Sequence, residues 1–518
     1  MFPPVPILAD YGISLDRGFL PPETPLQSLP DPYYSKWEGI VANLQALLLS
    51  QRLRGTIESM PVLSTSKLQT EPEWRRAYVL LVFMLHGYIW GGDTPAERIP
   101  PPITIPLLKV SSHLELPPVA TYAGVCLWNY RPLFPDEPAD ELDNLATLHT
   151  FTGSLDEQWF YLISVAIEAR GAPTLPLMLR AISAARSGDS DTVTECLRDL
   201  AEALDDISSL LQRMYENCDP HVFYHRIRPF LAGSRGMADA GLPNGIFYDD
   251  GTGKEPTYEQ YGGGSNAQSS IIQFFDIVLG IEHRPTGVTR ASMDRASKDP
   301  IKKNVSTDDS VAGSGLAPKP RHNFIQEMQA YMPGPHRRFL EHVTSVANIR
   351  AYVDSHRSDR ALCIAYDSCL AMLRALRDKH IQMVSRYIII KSRESRGQPR
   401  SSSPHARTAA GGMAMAGPSI TTTTRINLAH VKTDEKGRPG KLRGTGGTAL
   451  IPFLKQARDE TGEPSIDAWA KRLLSNGPAD ASTFKLGKVD EHADGQIEVV
   501  GLAGTWSMDE SEGGLCHW

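Results

Sequence analysis

The residue best placed to do chemistry is a histidine where an apolar side chain is expected. In LRALRDKHIQMVSRYIII, residues 373–390, His380 stands at a position where an amphipathic helix would carry Leu or Ile. Extended backwards, the stripe takes in Leu362, Tyr366, Cys369, Leu373, Leu376, His380, Met383 and Tyr387, spaced alternately by four and three. That spacing is a heptad seam facing a core. An imidazole turned inward without a partner forfeits its hydrogen bonds to water, at about 1–3 kcal/mol. Two partners satisfy it: a backbone carbonyl, the commoner case, or a metal or heme iron, since neutral imidazole is the commonest metal ligand.

Three other stretches carry candidate chemistry. CDPHVFYH places Cys218, His221 and His225 at C-x2-H-x3-H spacing, with both histidines on one helical face. Zinc is disfavoured there, because Val222 stands where a metalloprotease needs Glu and no fourth ligand is evident. Arg228, inside the apolar VFYHRIRPFLAG, either snorkels, pairs with an acid or, at a pocket, clamps a carboxylate. YGGGSNAQSS lacks the G-K-[ST] of a phosphate loop and follows no strand. It reads as a tight helix entry, with Ser265 and Gln268 at capping-box spacing.

The elements that must position these residues are helices. Residues 157–170 put Phe160, Ile163, Ser164 and Ile167 on one face, and residues 193–216 do the same with Leu197, Leu200, Leu204, Ile207 and Leu211. Another helix starts at Asp219, a capping residue followed by Pro220 in the first turn, and Pro229 kinks or ends it. No convincing alternating strand interrupts them, so the expected fold is all-α. A chain of 518 residues exceeds one core. The expected division is a small N-terminal helical domain over 1–130, a Pro-rich acidic linker over 131–152, and a large helical domain over 153–456. Flexible insertions near 285–320 and 392–443 and an extension over 457–518 complete it.

Composition narrows the partners. A net charge of -7 and pI near 6.1 offer no general attraction to nucleic acid or anionic lipid. The N-terminus lacks a basic segment ahead of an apolar one, so no secretory signal is expected. The longest apolar run, Ala77 to Trp90, is shorter than the roughly twenty residues of a membrane span and reads as a buried helix. Six cysteines without CxxC fit a reduced, cytoplasmic compartment.

Taken in order, LLKVSSHLELPPVATYAG, FTGSLDEQWFYLISVAIE, CDPHVFYHRIRPFLAG, YGGGSNAQSSIIQFFDIVLGIEH, MQAYMPGPHRRFL, LRDKHIQMVSRYI and GTGGTALIPFLK resemble the signature segments of the indoleamine 2,3-dioxygenases. The resemblance covers most of residues 1–456. It implies an all-helical fold in which a small N-terminal domain covers a large one that binds one heme b. It further implies that His380 is the proximal iron ligand and that Arg377, one turn earlier, meets a heme propionate. Phe160 and Ser164 would lie over the iron, Tyr122 and Phe223 would wall the indole, and Arg228 would hold the substrate carboxylate. Gly264 and Ser265 would pass close to heme and substrate, and Thr445 would sit on a loop closing over the pocket.

The reaction implied is insertion of both atoms of O2 into the indole C2–C3 bond of L-tryptophan, giving N-formylkynurenine. No net electrons are consumed, so an external reductant only primes or rescues ferric enzyme, and the expected state is a monomer. Asn266 stands where several family members have a small apolar residue, and Val125 where others have cysteine. These departures leave a second expectation: a heme-binding sensor of the same fold with weak tryptophan turnover.

Overall fold

The computed structural model describes residues 3–138, 140–253, 255–288, 323–393, 444–445, 450–467, 470–471 and 474, and the backbone of residues 489–491, 497–501 and 504–508. Most of both expected insertions, residues 446–449 and most of the expected C-terminal extension lie outside the described residues.

The fold is all-α, and the long periodic stretches form its frame. The most apolar run becomes the helix Glu71–Trp90, in which every residue from Ala77 to Ile89 is buried. A helix apolar on all sides is stable only inside a core. The helices Ser190–Gln212 and Arg360–Val384 pack along each other. Their N-termini are joined, because Asp359 accepts from the Leu362 amide (3.1 Å) and from the Ser190 hydroxyl (2.5 Å). Leu197, Leu200, Leu204 and Ile207 on one helix, and Leu362, Tyr366, Cys369 and Leu373 on the other, are buried. One contiguous apolar core extends along the chain from Leu8 to Leu474.

Residues 155–171 form the next helix, started by Ser154, whose hydroxyl accepts from the Glu157 amide. Asp219 caps as its sequence foretells, accepting from the His221 and Val222 amides at 2.8 and 3.0 Å. The helix it starts does not stay regular. Residues Phe223–Ile227 form a π turn before Arg228–Leu231 resume an α turn.

Several expectations need correction. Ser265 and Gln268 form no capping box. The Ser265 hydroxyl accepts from the Ala267 amide at 3.3 Å to make a short 3-10 turn, while Gln268 takes the Tyr122 amide (2.8 Å) and donates to the Gly263 carbonyl (2.9 Å). The following helix, Ser270–Val278, is capped by Ser269 instead. Strands do occur: a three-stranded antiparallel sheet of Val489–Glu491, Ile497–Gly501 and Gly504–Met508 lies in the expected C-terminal extension, and shorter pairings lie among the helices. Arg98–Ile99 pairs in parallel with Ile246–Tyr248, which pairs antiparallel with Tyr258–Glu259. Tyr130–Pro132 pairs with Leu145–Thr147 across the stretch expected as a linker. Pairings of two or three residues are too brief to leave an alternating pattern. The helix Leu450–Thr461 runs across residue 456, and Arg377 and Arg374 donate to its Ala457 and Arg458 carbonyls at 3.3 and 3.1 Å.

The glycine segment owes its place to backbone contact. A Cβ on Gly263 would collide with the Leu231 carbonyl oxygen, and one on Gly233 with that of Tyr261. Only hydrogen at these positions lets the chain after Arg228 lie against the chain before Ser265. Gly263→Ala is expected to cost about 1–3 kcal/mol through overpacking. Gly55→Ala, in a helix with open space around its Cβ, is expected to stabilise by about 0.5–1 kcal/mol. Denaturation midpoints of both variants check this, and equal midpoints would mean that the two chains can part at no cost.

Candidate active site

All the site residues expected from the sequence line one largely apolar cavity of about 260 Å³: His380 and Arg377, Phe160 and Ser164, Tyr122, Phe223, Arg228, Gly264, Ser265, Asn266 and Thr445. His380 lies near the end of the helix Arg360–Val384 and makes no hydrogen bond to any described residue. Burial, with the nearby Arg377 charge in support, pushes its pKa down to about 4. At neutral pH the ring is therefore uncharged, with a nitrogen lone pair available to the cavity.

Those properties test the expected heme. No group of three or more His, Cys, Asp or Glu able to hold a metal occurs among the described residues. Cys218, His221 and His225 do not come together as such a group. A metal held here through one imidazole needs its remaining ligands from something other than protein. A tetrapyrrole supplies four such donors, and the apolar wall beside His380, which includes Leu376, Met383, Val384 and Ile388, suits its face. The residues fit the group.

Three π turns shape the cavity. Ala123–Leu127 brings Val125 and Cys126 to the wall, Phe223–Ile227 brings Phe223, and Ser385–Ile390 brings Tyr387 and Ile388. Such turns concentrate at functional sites. Aromatic contacts link the walls: Phe160 lies 4.8 Å from Phe223 between ring centres, and Phe223 5.7 Å from Tyr387. Arg228 stands with its guanidinium carbon 5.6 Å from the centre of the Tyr224 ring, and burial holds its pKa below the usual arginine range. Thr445 straps the glycine segment, donating its hydroxyl to the Gly264 carbonyl (2.6 Å) and accepting from the Gly263 amide (3.0 Å).

The cation at the cavity edge is not isolated. Arg377 Nη2 lies 2.7 Å from both Asp276 oxygens, and His283 bridges Asp276 (3.0 Å) and Glu460 (2.8 Å). Burial opposes the charges of Asp276 and His283. Nevertheless Arg377 and His283 hold the Asp276 carboxyl below its usual range, and Asp276 and Glu460 hold the His283 imidazole above its own.

Sequence reasoning missed Asp276, His283, Cys126 and above all Glu168. Glu168 lies one turn beyond Ser164, buried, with Oε1 accepting from Ser269 (2.6 Å) and Tyr122 (3.1 Å), while Oε2 is buried without a hydrogen bond. An acidic residue four positions after Ser164 on a buried face was the available signal.

Comparison with known proteins agrees with the geometry. The sequence model of the family described as "Indoleamine 2,3-dioxygenase" matches residues 7–464. The chain is 40% identical over 472 residues to an indoleamine 2,3-dioxygenase of Aspergillus nanangensis, covering 89% of this chain and 98% of that protein. It is 40% identical over 469 residues to the indoleamine 2,3-dioxygenase of Saccharomyces cerevisiae, with coverages of 88% and 93%. A 6-hydroxytryptophan 2,3-dioxygenase of Fusarium equiseti is 34% identical over 450 residues, with coverages of 87% and 96%.

Glu168 generates a pH prediction. Burial raises its pKa to about 7, although the Ser269 and Tyr122 hydroxyls pull it down. A carboxyl that titrates near 7 when folded and near 4.5 when unfolded binds its proton more tightly in the folded state. This group therefore favours folding most below about pH 4.5, and stability declines as pH rises through about 7, by on the order of 3 kcal/mol in all. Glu168→Gln cannot ionise and is expected to lose this decline. Denaturation of both proteins at pH 5 and pH 8 reads it, and parallel changes would place the titration elsewhere.

Proposed function

Because this chain belongs to the indoleamine 2,3-dioxygenase family, we propose that its cavity holds heme b on His380 and that the substrate is L-tryptophan, cleaved by O2 at the indole C2–C3 bond to N-formylkynurenine. The family is one of heme-dependent dioxygenases of tryptophan catabolism. The observation that carries the reading is His380: a neutral imidazole in the wall of an apolar cavity, with no hydrogen bond to the described protein. When bound, heme supplies the iron that activates O2.

The protein's part is to orient the substrate and exclude water. Arg377, braced by Asp276, would meet a propionate. Arg228 holds the amino-acid carboxylate. Tyr122, Phe160 and Phe223 take the faces and edges of the indole, and Gly264 and Ser265 give it a backbone neighbour without bulk. Ser164 is the one hydroxyl on the Phe160 wall, and the reaction asks no strong base of it. Thr445 closes the cavity from the glycine side. A reductant is needed only to return ferric iron to the ferrous state, and a cytoplasmic monomer accords with this chemistry.

Asn266 lines the same cavity and is exposed, with no hydrogen bond from its side chain to the described residues. Together with the relative named for 6-hydroxytryptophan, it makes a hydroxylated indole the second substrate to assay.

His380→Ala is expected to lose most heme affinity while keeping its helical circular dichroism. Undiminished heme binding in that variant would remove the iron ligand from this reading. Arg228→Ala is expected to keep heme and lose about 2–5 kcal/mol of substrate binding, the cost of leaving a buried charge unpaired. That is a fall in kcat/KM of roughly thirtyfold to several thousandfold, whereas Ser164→Ala should lose less. Tryptophan that binds the wild type without being turned over would make the protein a sensor.

A further inference from the structure

The two walls that would grip the polar end of the substrate are joined by a side chain that lines neither. His86 is fully buried in the helix Glu71–Trp90 and is absent from the cavity lining. Its Nδ1 lies 2.6 Å from the Phe230 carbonyl oxygen, and its Nε2 lies 3.0 Å from the Ala120 amide nitrogen. A carbonyl can only accept and an amide N–H can only donate. Both contacts therefore require the neutral tautomer that carries hydrogen on Nδ1. Burial lowers the His86 pKa to about 4, against the pull of the Phe230 carbonyl, so that tautomer persists at neutral pH.

The partners matter because of where they stand. Phe230 lies two residues after Arg228, and Ala120 two residues before Tyr122. One turn further along the same helix, Trp90 donates to the Ala232 carbonyl at 2.9 Å. The helix thus fastens the segment behind Arg228 at two points, and from one of them the His86 ring crosses to the Tyr122 segment. A leucine would fill the space but could neither donate to Phe230 nor accept from Ala120. Both backbone groups would then be left unsatisfied in the core.

We propose that His86 is a positioning residue that sets the Arg228 guanidinium relative to the Tyr122 ring, and thereby the preference for an indole that bears a carboxylate. The inference rests on the reading of Arg228 as the carboxylate's partner.

The test titrates L-tryptophan and tryptamine, its decarboxylated analogue, into heme-loaded wild type, His86→Phe, His86→Asn and His86→Gln, followed by heme absorption. In His86→Phe, tryptophan is expected to bind about tenfold or more weakly, the worth of one to two buried hydrogen bonds. Tryptamine should weaken far less, and the heme spectrum without ligand should be unchanged. Asn offers a donor where Nδ1 stood, and so keeps the Phe230 contact on the Arg228 side. It is expected to restore most of the preference for tryptophan. Gln offers an acceptor near Nε2 and keeps the Ala120 contact, so it should restore less. Hydrogen exchange supplies a readout independent of ligand: the Ala120 amide should exchange faster in the Phe and Asn variants and stay protected in Gln.

Equal losses for both ligands, or wild-type tryptophan binding in a folded His86→Phe, would overturn the proposal and leave the ring a filler of space. If the Phe variant does not fold, indistinguishable ligand preferences in Asn and Gln overturn it equally. A wild type that does not prefer tryptophan over tryptamine would instead overturn the reading of Arg228, and this inference with it.

Discussion

An imidazole at the wall of an apolar cavity, with no hydrogen-bond partner among the described residues, is the constraint on which the site depends. Folding leaves His380 only partly exposed and gives it no hydrogen bond in exchange among the described residues. The cost, about 1–3 kcal/mol, is borne by the well-packed seam around it. Leu362, Tyr366, Cys369 and Leu373 anchor the same helix in the core with almost no exposure, and its N-terminus is tied through Asp359 to the neighbouring helix. A rigid helix holds the imidazole in the cavity wall.

The charges around the cavity follow a complementary rule. Each cation is held by backbone, carboxylate or aromatic ring before any ligand arrives. Arg377 is braced by Asp276, and through His283 and Glu460 the brace reaches the helix Leu450–Thr461. That helix follows directly on the segment carrying Thr445. The part of the chain that straps the glycine segment and the part that braces the charged edge are therefore neighbours in sequence, meeting the cavity from two sides.

How much of this could be read beforehand depended on the range of the interactions. The seam through His380 and the cap at Asp219 are written in local spacing, and both stand in the structure as the spacing requires. The family resemblance named the lining residues, and the cavity gathers every one. Local patterns failed where a side chain had a distant alternative. Gln268 has capping-box spacing from Ser265, yet spacing cannot tell whether an amide turns to its own helix or to Tyr122, far away in sequence. His86 read only as part of an apolar run, since both its partners come from other segments. Asp276, His283 and Glu168 were opaque for the same reason: a charge declares itself buried only when its partners are in place.

The π turns bear on phase. Each winds wider than the α-helix around it, and the extra residue sets every later side chain back by about 100° relative to an uninterrupted α-helix. Phe223 and Arg228 stand at opposite ends of one such turn, and both line the cavity. In a regular helix, positions five apart diverge by about 140°, too far for both to face one opening. The wider turn reconciles them. The length of this stretch, as much as its composition, thus decides which chemistry the pocket receives. Shortening it by one residue would keep both Phe223 and Arg228 in the chain and turn one of them away from the opening.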